Sequence, residues 1–279
     1  MNFLRSSLLL GIFLPWAALH ADDIEKRSLP PGADLQRADL FAWKSSYRPE
    51  AVLVLCPGCN GSGEGLVRQR VWQDFAKKHK LGLVGLSFAS EASLLTNGRG
   101  YYHASRGSGD LLLEGIREIY GEELPLLLYG FSGGAHFTAR FVEWKPDQVR
   151  AWCAYAAGWW DEPKRTEENP PGMVACGDQD ERYGASLFYF KQGRALGKPW
   201  LWVSIPQTGH SVSPPLEVFV RKYFTGVLKG GLNPQQDGVW LDIDQETRAE
   251  QDTVKEMPSV TAWLPDKKLL QSWINLHEP

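Results

Sequence analysis

The chain has 279 residues, of which 43% are hydrophobic and 23% charged, and its formal net charge is -3 at pH 7. That is the composition of an ordinary soluble globular protein, without the basic excess that nucleic acid or an anionic membrane surface demands, so neither is expected as a partner. The length allows one large domain or two small ones.

In chain order, Arg5 precedes an apolar run from Leu8 to Leu19, which leads into Ala21 and then Asp22-Asp23. This is the layout of a secretory signal peptide, and the run is shorter than the roughly 20 apolar residues of a membrane span. Residues 1–21 are therefore expected to be removed on export to the periplasm or the medium, leaving no stable membrane anchor. The alternative is an uncleaved N-terminal anchor, because Leu19 is larger than the small residue preferred before a cleavage site.

From Ala51 to Pro206, short runs rich in Val, Leu and Trp alternate with amphipathic stretches, the pattern of βα units on a mainly parallel sheet. The spacing predicts strands over Ala51–Leu55, Leu81–Phe88, Leu124–Tyr129, Val149–Ala156, Met173–Cys176 and Pro199–Ile205. Their near-continuous apolar character suits strands covered on both faces. Helices are expected over Leu66–His79, Gly109–Tyr120, Ala135–Trp144, Tyr183–Leu196 and Pro215–Phe224. Residues 22–229 then make one α/β domain. The rhythm breaks after Lys229, and residues 230–279 hold too few apolar clusters for a core of their own, so they read as an appendage packed on that domain.

Export permits disulfides, and the cysteines Cys56, Cys59, Cys153 and Cys176 can pair in three ways. Cys56 and Cys59 form a C-x-x-C, yet Asn60-Gly61-Ser62-Gly63 follows in place of the helix a redox pair requires.

The segment Gly130-Phe131-Ser132-Gly133-Gly134 places G-x-S-x-G between a buried strand and a helix. A serine on that sharp turn is exposed for nucleophilic attack, and its small neighbours let the backbone approach closely. Its hydroxyl needs a base, and the base needs a carboxylate. Ser, acid and His follow in that order in this motif class. Of the histidines beyond Ser132, His136 falls in the helix just after it and His277 is close to the C-terminus, whereas His210 follows a strand, so His210 is the candidate base. For the acid, Gly177-Asp178-Gln179-Asp180-Glu181 stands at a strand's carboxyl end, where sites form in open α/β sheets. Asp180 is the first choice, with Asp178 and Asp161 as rivals. Backbone amides must also meet the developing oxyanion. Gly133 is expected to supply one and Cys59, in the turn Cys56-Pro57-Gly58-Cys59-Asn60-Gly61, the other, by its main chain.

With these ordered motifs the chain resembles the α/β-hydrolase superfamily over roughly residues 51–224. It is similar more narrowly, through Pro57-Gly58-Cys59 and Gly130-Phe131-Ser132-Gly133-Gly134, to secreted bacterial esterases of the polyhydroxybutyrate-depolymerase and feruloyl-esterase type. Such enzymes usually carry His-Gly where this chain has Pro57-Gly58. The resemblance implies a three-layer α/β-hydrolase fold and a small-molecule or polymeric ester as substrate.

Trp159 and Trp160, just after a strand, are candidate substrate contacts, suited to lining an acyl pocket or stacking on a ring. No His, Cys or Asp cluster has metal-ligand spacing, and no cofactor is expected. The favoured activity is carboxylic-ester hydrolysis through an acyl-enzyme. A serine peptidase on the same fold and a non-catalytic carbohydrate- or envelope-binding protein are the alternatives.

Overall fold

The computed structural model describes residues 24–32, 34–229 and 238–278. The signal read at residues 1–21 and the start of the appendage, residues 230–237, lie outside the described residues. Strands β1 (Ile24–Ser28), β2 (Arg37–Trp43), β3 (Ala51–Cys56), β4 (Leu81–Ala89), β5 (Leu126–Phe131), β6 (Val149–Tyr155), β7 (Gly172–Gly177) and β8 (Trp200–Ile205) form one sheet. Their order across it is β1-β2-β4-β3-β5-β6-β7-β8. Every pair from β4 to β8 is parallel, while β1 with β2 and β2 with β4 are antiparallel. All residues of β3, β4 and β7 are buried. Since successive side chains point to opposite sides of a strand, helices and connections must cover both faces.

The helices of this layer are α1 (Glu64–Val67), α2 (Arg70–Lys78), α3 (Ala92–Thr96), α4 (Ser108–Tyr120), α5 (Gly133–Trp144), α6 (Tyr183–Ala195) and α7 (Pro214–Lys229). The single helix expected over Leu66–His79 is two. Gln69 is extended there (φ -71°, ψ 119°), and the break lets Val67 reach the core together with Trp72, Phe75 and Ala76. A five-residue step from Val67 to Trp72 does not fit one continuous helical face. The antiparallel strands β1 and β2 carry too many charges, among them Lys26, Arg27 and Arg37, to read as buried strands, and they lie at the sheet's edge where such charges are tolerated.

Beyond the main sheet, β9 (Val239–Asp242), β10 (Thr247–Arg248) and β11 (Thr261–Leu264) make a small antiparallel sheet in the order β10-β9-β11, accompanied by α8 (Gln251–Glu256) and α9 (Leu270–His277). These elements sit against β8, whose outer edge is otherwise unpaired. The buried Trp273 indole donates to the Trp202 carbonyl at 2.8 Å, and the Ser204 amide donates to Nε2 of His277 at 3.2 Å. On the α6 side, Arg194 donates from Nε to the Thr261 carbonyl at 2.7 Å and stacks on Trp240. The C-terminal residues thus supply the hydrogen-bond partners that an edge strand lacks, and His277 is engaged there, far in sequence from Ser132.

Candidate active site

β3 leads to β4 on one side, yet β5 lies on the other side of β3, so the connections leaving the carboxyl ends of β3 and β5 diverge. This is the switch point at which open α/β sheets bind ligands. Ser132 stands there between β5 and α5, and Cys59 follows β3.

Ser132 has φ 51° and ψ -113°, a conformation few non-glycine residues adopt and one that costs on the order of 1–3 kcal/mol. Its amide donates to the Tyr155 carbonyl at 2.8 Å, and its carbonyl accepts from the Ala135 and His136 amides. The turn is possible because of the neighbouring glycines. A Cβ on Gly130 would lie 2.2 Å from the Gly134 carbonyl oxygen, and one on Gly134 would lie 2.0 Å from that of Cys56.

The structure brings Ser132, His210 and Asp180 into one hydrogen-bonded line. Nε2 of His210 is 2.9 Å from Ser132 Oγ, and Nδ1 is 2.8 Å from Asp180 Oδ2. An ionised carboxylate can only accept, so the proton lies on Nδ1 and Nε2 is free to accept from the serine hydroxyl. Phe131 stacks on the His210 ring at 5.1 Å, and Tyr155 donates its hydroxyl to the Ser211 carbonyl, fixing the loop that carries the histidine. The Asp180 side chain is fully buried. Burial alone raises its pKa, but the bonds from His210 and from the Arg182 amide and guanidinium outweigh that, and the carboxyl is held below its ordinary value.

Neither rival acid reaches the histidine site. Asp178 accepts from the Thr208 amide at 3.2 Å, tying the loop after β7 to the loop after β8. Asp161 is locked in a two-bond pair with Arg140, at 2.8 Å each.

Gly133 is packed directly on the loop after β3, since a Cβ there would lie 2.6 Å from both N and Cα of Cys59. The amides of Gly133 and Cys59 therefore belong to touching backbone segments beside Ser132, at the N-terminal, positive end of the twelve-residue helix α5. The sequence reading missed what holds the Cys59 loop. Arg37 of β2 donates through Nη2 to the Asn60 and Gly61 carbonyls, each at 2.7 Å, and through Nε to the Ser87 carbonyl at 3.0 Å. The Asn60 amide donates to the Tyr101 hydroxyl at 3.1 Å, and the Asn60 side chain bonds both the amide and the carbonyl of Ser90. An arginine at the start of a strand outside the apolar parallel layer has no sequence signal linking it to a loop more than twenty residues away. All four cysteines are free thiols, with Cys59 exposed and the others buried. Burial pushes the Cys56 thiol up to about 12, which suits an inert core residue.

Trp159 and Trp160 lie on the loop after β6. Trp159 is 44% exposed and packs on His136 at 4.3 Å, while the half-buried Trp160 stacks on Tyr189 at 4.3 Å. His136 is itself sandwiched against Tyr102 and accepts the Gly158 amide at 3.0 Å. Burial, reinforced by the nearby Arg140 guanidinium, lowers its pKa to about 3.

No protein-family model matches the sequence, and no curated protein does. Solved structures do match. The fluorophosphonate-binding serine hydrolase F of Staphylococcus aureus aligns with a TM-score of 0.53 at 12% identity, over 74% of this chain and 98% of that one. A ferulic acid esterase aligns at 0.54 and 13%, over 74% and 96%. The poly(3-hydroxybutyrate) depolymerase LpqC of Bordetella parapertussis aligns at 0.51 and 18%, over 73% and 88%. The chain has the α/β-hydrolase fold, and the structures it resembles include serine hydrolases and esterases.

Proposed function

We propose that the protein is a serine hydrolase that cleaves carboxylic esters through an acyl-enzyme intermediate. The observation that carries this reading is the line Ser132–His210–Asp180, with spacings of 2.9 and 2.8 Å, next to a strained serine at a strand-to-helix turn. His210 takes the hydroxyl proton as Ser132 attacks the ester carbonyl, and the tetrahedral oxyanion is met by the Gly133 and Cys59 amides. The same imidazolium then protonates the departing alcohol. Water, deprotonated in turn by His210, releases the acid and restores the serine. Asp180 keeps the imidazole in the productive tautomer and stabilises its charge. Trp159 and Trp160 are the substrate contacts, and the ester is a small molecule or a polymer.

The strained backbone of Ser132 also favours this reading over a non-catalytic binding protein, which has no use for it. Among the described residues no helix is long and apolar enough to cross a membrane. With the signal layout at residues 1–21, we place the enzyme in the periplasm or outside the cell.

The test is hydrolysis of p-nitrophenyl esters of increasing chain length, with fluorophosphonate labelling, on the wild type and on Ser132→Ala. Labelling and turnover by the wild type alone are expected. A wild type that neither labels nor turns over any ester would refute the proposal.

A further inference from the structure

A cavity of about 290 Å³ opens along α5 beside His136 and Trp159, but none of Ser132, His210, Asp180, Gly133 and Cys59 lines it. The aromatic ring that does meet the reacting groups is Phe131, the residue between Gly130 and Ser132. It ends β5 and is half-buried, whereas the rest of that strand is buried. The strand register pairs it with Tyr155 of β6, and the two rings lie 5.3 Å apart. On another side, a Cβ on Gly58 would meet two of its ring carbons at 3.7 and 3.8 Å and the Cβ of Ser132 at 3.9 Å. The ring is thus wedged between the sheet, the loop that carries Cys59 and the imidazole of His210. The Phe131 and His210 ring planes lie 24° from parallel, with centroids 5.1 Å apart.

Both nitrogens of His210 are committed in the plane of its ring, Nδ1 to Asp180 and Nε2 to Ser132. Further contact falls on the faces of the imidazole, and Phe131 covers one. Before the reaction two neutral rings meet there. Once Nε2 has taken the serine proton, the imidazole is a cation within about 6 Å of an aromatic face, whose negative quadrupole attracts it. A contact that is stronger in the transition state than in the ground state lowers the barrier, whereas one equal in both does not. The charged groups around His210 approach from elsewhere. Asp180 bonds its Nδ1 edge, Arg182 bonds Asp180 and pairs with Glu181, and Asp178 accepts from the Thr208 amide in the loop before it. The face of the imidazole is left to Phe131.

We propose that Phe131 is a positioning residue of the reaction, whose ring face holds the His210 imidazole and stabilises the positive charge it carries in the transition states of ester cleavage. The proposal rests on the serine-hydrolase reading and adds to it a residue that acts through the base. It is tested by replacing Phe131 with phenylalanines carrying one, three and five ring fluorines, which nearly keep its shape while draining negative charge from its face. Phe131→Leu and Phe131→Tyr complete the series. The readouts are the pH profile of kcat/KM for p-nitrophenyl acetate and the rate of fluorophosphonate labelling. Successive fluorines should slow both reactions stepwise, by about two- to fivefold in all. They should also move the acid limb of the profile to lower pH by on the order of half a unit, because the face no longer favours the charged imidazole. Phe131→Leu should follow the fluorinated proteins, and Phe131→Tyr, which keeps an electron-rich face, should match the parent. Fluorinated proteins as active as the parent, or slowed with the acid limb in place, would overturn the proposal, as a ring that only packs would behave so. Should Phe131→Leu fail to fold, the fluorinated series still decides. A wild type that neither labels nor hydrolyses any ester refutes the serine-hydrolase reading as well, whereas a wild type that does both and is indifferent to fluorination refutes the role of Phe131 alone.

Discussion

Arg182 bonds the carboxylate of Asp180 twice on one oxygen, through its backbone amide and through Nη1, each at 3.0 Å from Oδ1, and leaves Oδ2 to His210. The acid is therefore oriented from both sides. Removing the side chain in Arg182→Ala deletes one bond and one positive charge but leaves the amide. We expect kcat/KM to fall about tenfold, as for one lost charge-assisted hydrogen bond, with partial recovery in Arg182→Lys. The sign of the stability effect follows from the depressed Asp180 pKa. A depressed carboxyl contributes stability above its unfolded value and loses it as pH falls through the folded one. The variant should therefore be less stable than the parent near neutrality, and urea midpoints of the two should converge in acid.

Three aspartates stand close enough in sequence to serve as the acid, and only one touches the base. Asp180→Asn is expected to lower kcat by about 10⁴, because an amide no longer enforces the tautomer. Asp178→Asn and Asp161→Asn should leave hydrolysis of p-nitrophenyl acetate within a few-fold of the parent, since their partners are Thr208 and Arg140. Steady-state kinetics of the three variants side by side decide the assignment.

Arg37 reaches the loop after β3 from strand β2 and holds two successive carbonyls, those of Asn60 and Gly61. With Arg37→Met the loop keeps its sequence but loses its clamp, and the Cys59 amide is no longer held against Gly133. Loss of one oxyanion donor costs about 10² to 10³ in kcat, so a fall of one to two orders of magnitude with little change in KM is expected. A fall in KM-dependent terms alone would show that the clamp serves substrate binding instead.

Nε2 of buried His136 accepts from the Gly158 amide, and the Arg140 guanidinium stands 3.2 Å from Nδ1, so a second ring proton would break the Gly158 bond and set a positive charge beside another. With a native pKa of about 3 against an unfolded value near 6.5, the unfolded chain binds the extra proton between those limits. Stability then falls as pH falls from 6.5 towards 3, by up to about 1.4 kcal/mol per pH unit from this group. His136→Gln, which can still accept from Gly158, should flatten that slope in urea titrations at pH 6, 5 and 4.

Much of the parallel layer was legible in the chain, because strands covered on both faces must be apolar throughout and so announce themselves, as Ala51–Cys56 and Leu81–Ala89 do. The two antiparallel strands at one end of the sheet carry no such mark. Lys26, Arg27 and Arg37 in β1 and β2 look like loop residues, and the C-terminal elements are held on the main sheet by a few long-range contacts, such as Trp273 with Trp202, that no local period encodes. The break at Gln69 was hidden for the same reason: it serves where Val67 must pack, which local helix preference does not report.

By itself the sequence determined the local chemistry. Gly130 and Gly134 around Ser132 admit one kind of turn, since a Cβ at either would collide with a carbonyl oxygen, and chain order left His210 as the histidine that follows a core strand. Only the tertiary structure set Asp180, and not Asp178 or Asp161, against His210, brought Arg37 and Arg182 to the site, and opened the cavity along α5 beside Trp159. Backbone sterics act between neighbours and are written residue by residue. Hydrogen-bond partners and cavities depend on which distant segments the sheet sets side by side, and that is known only once the chain has folded.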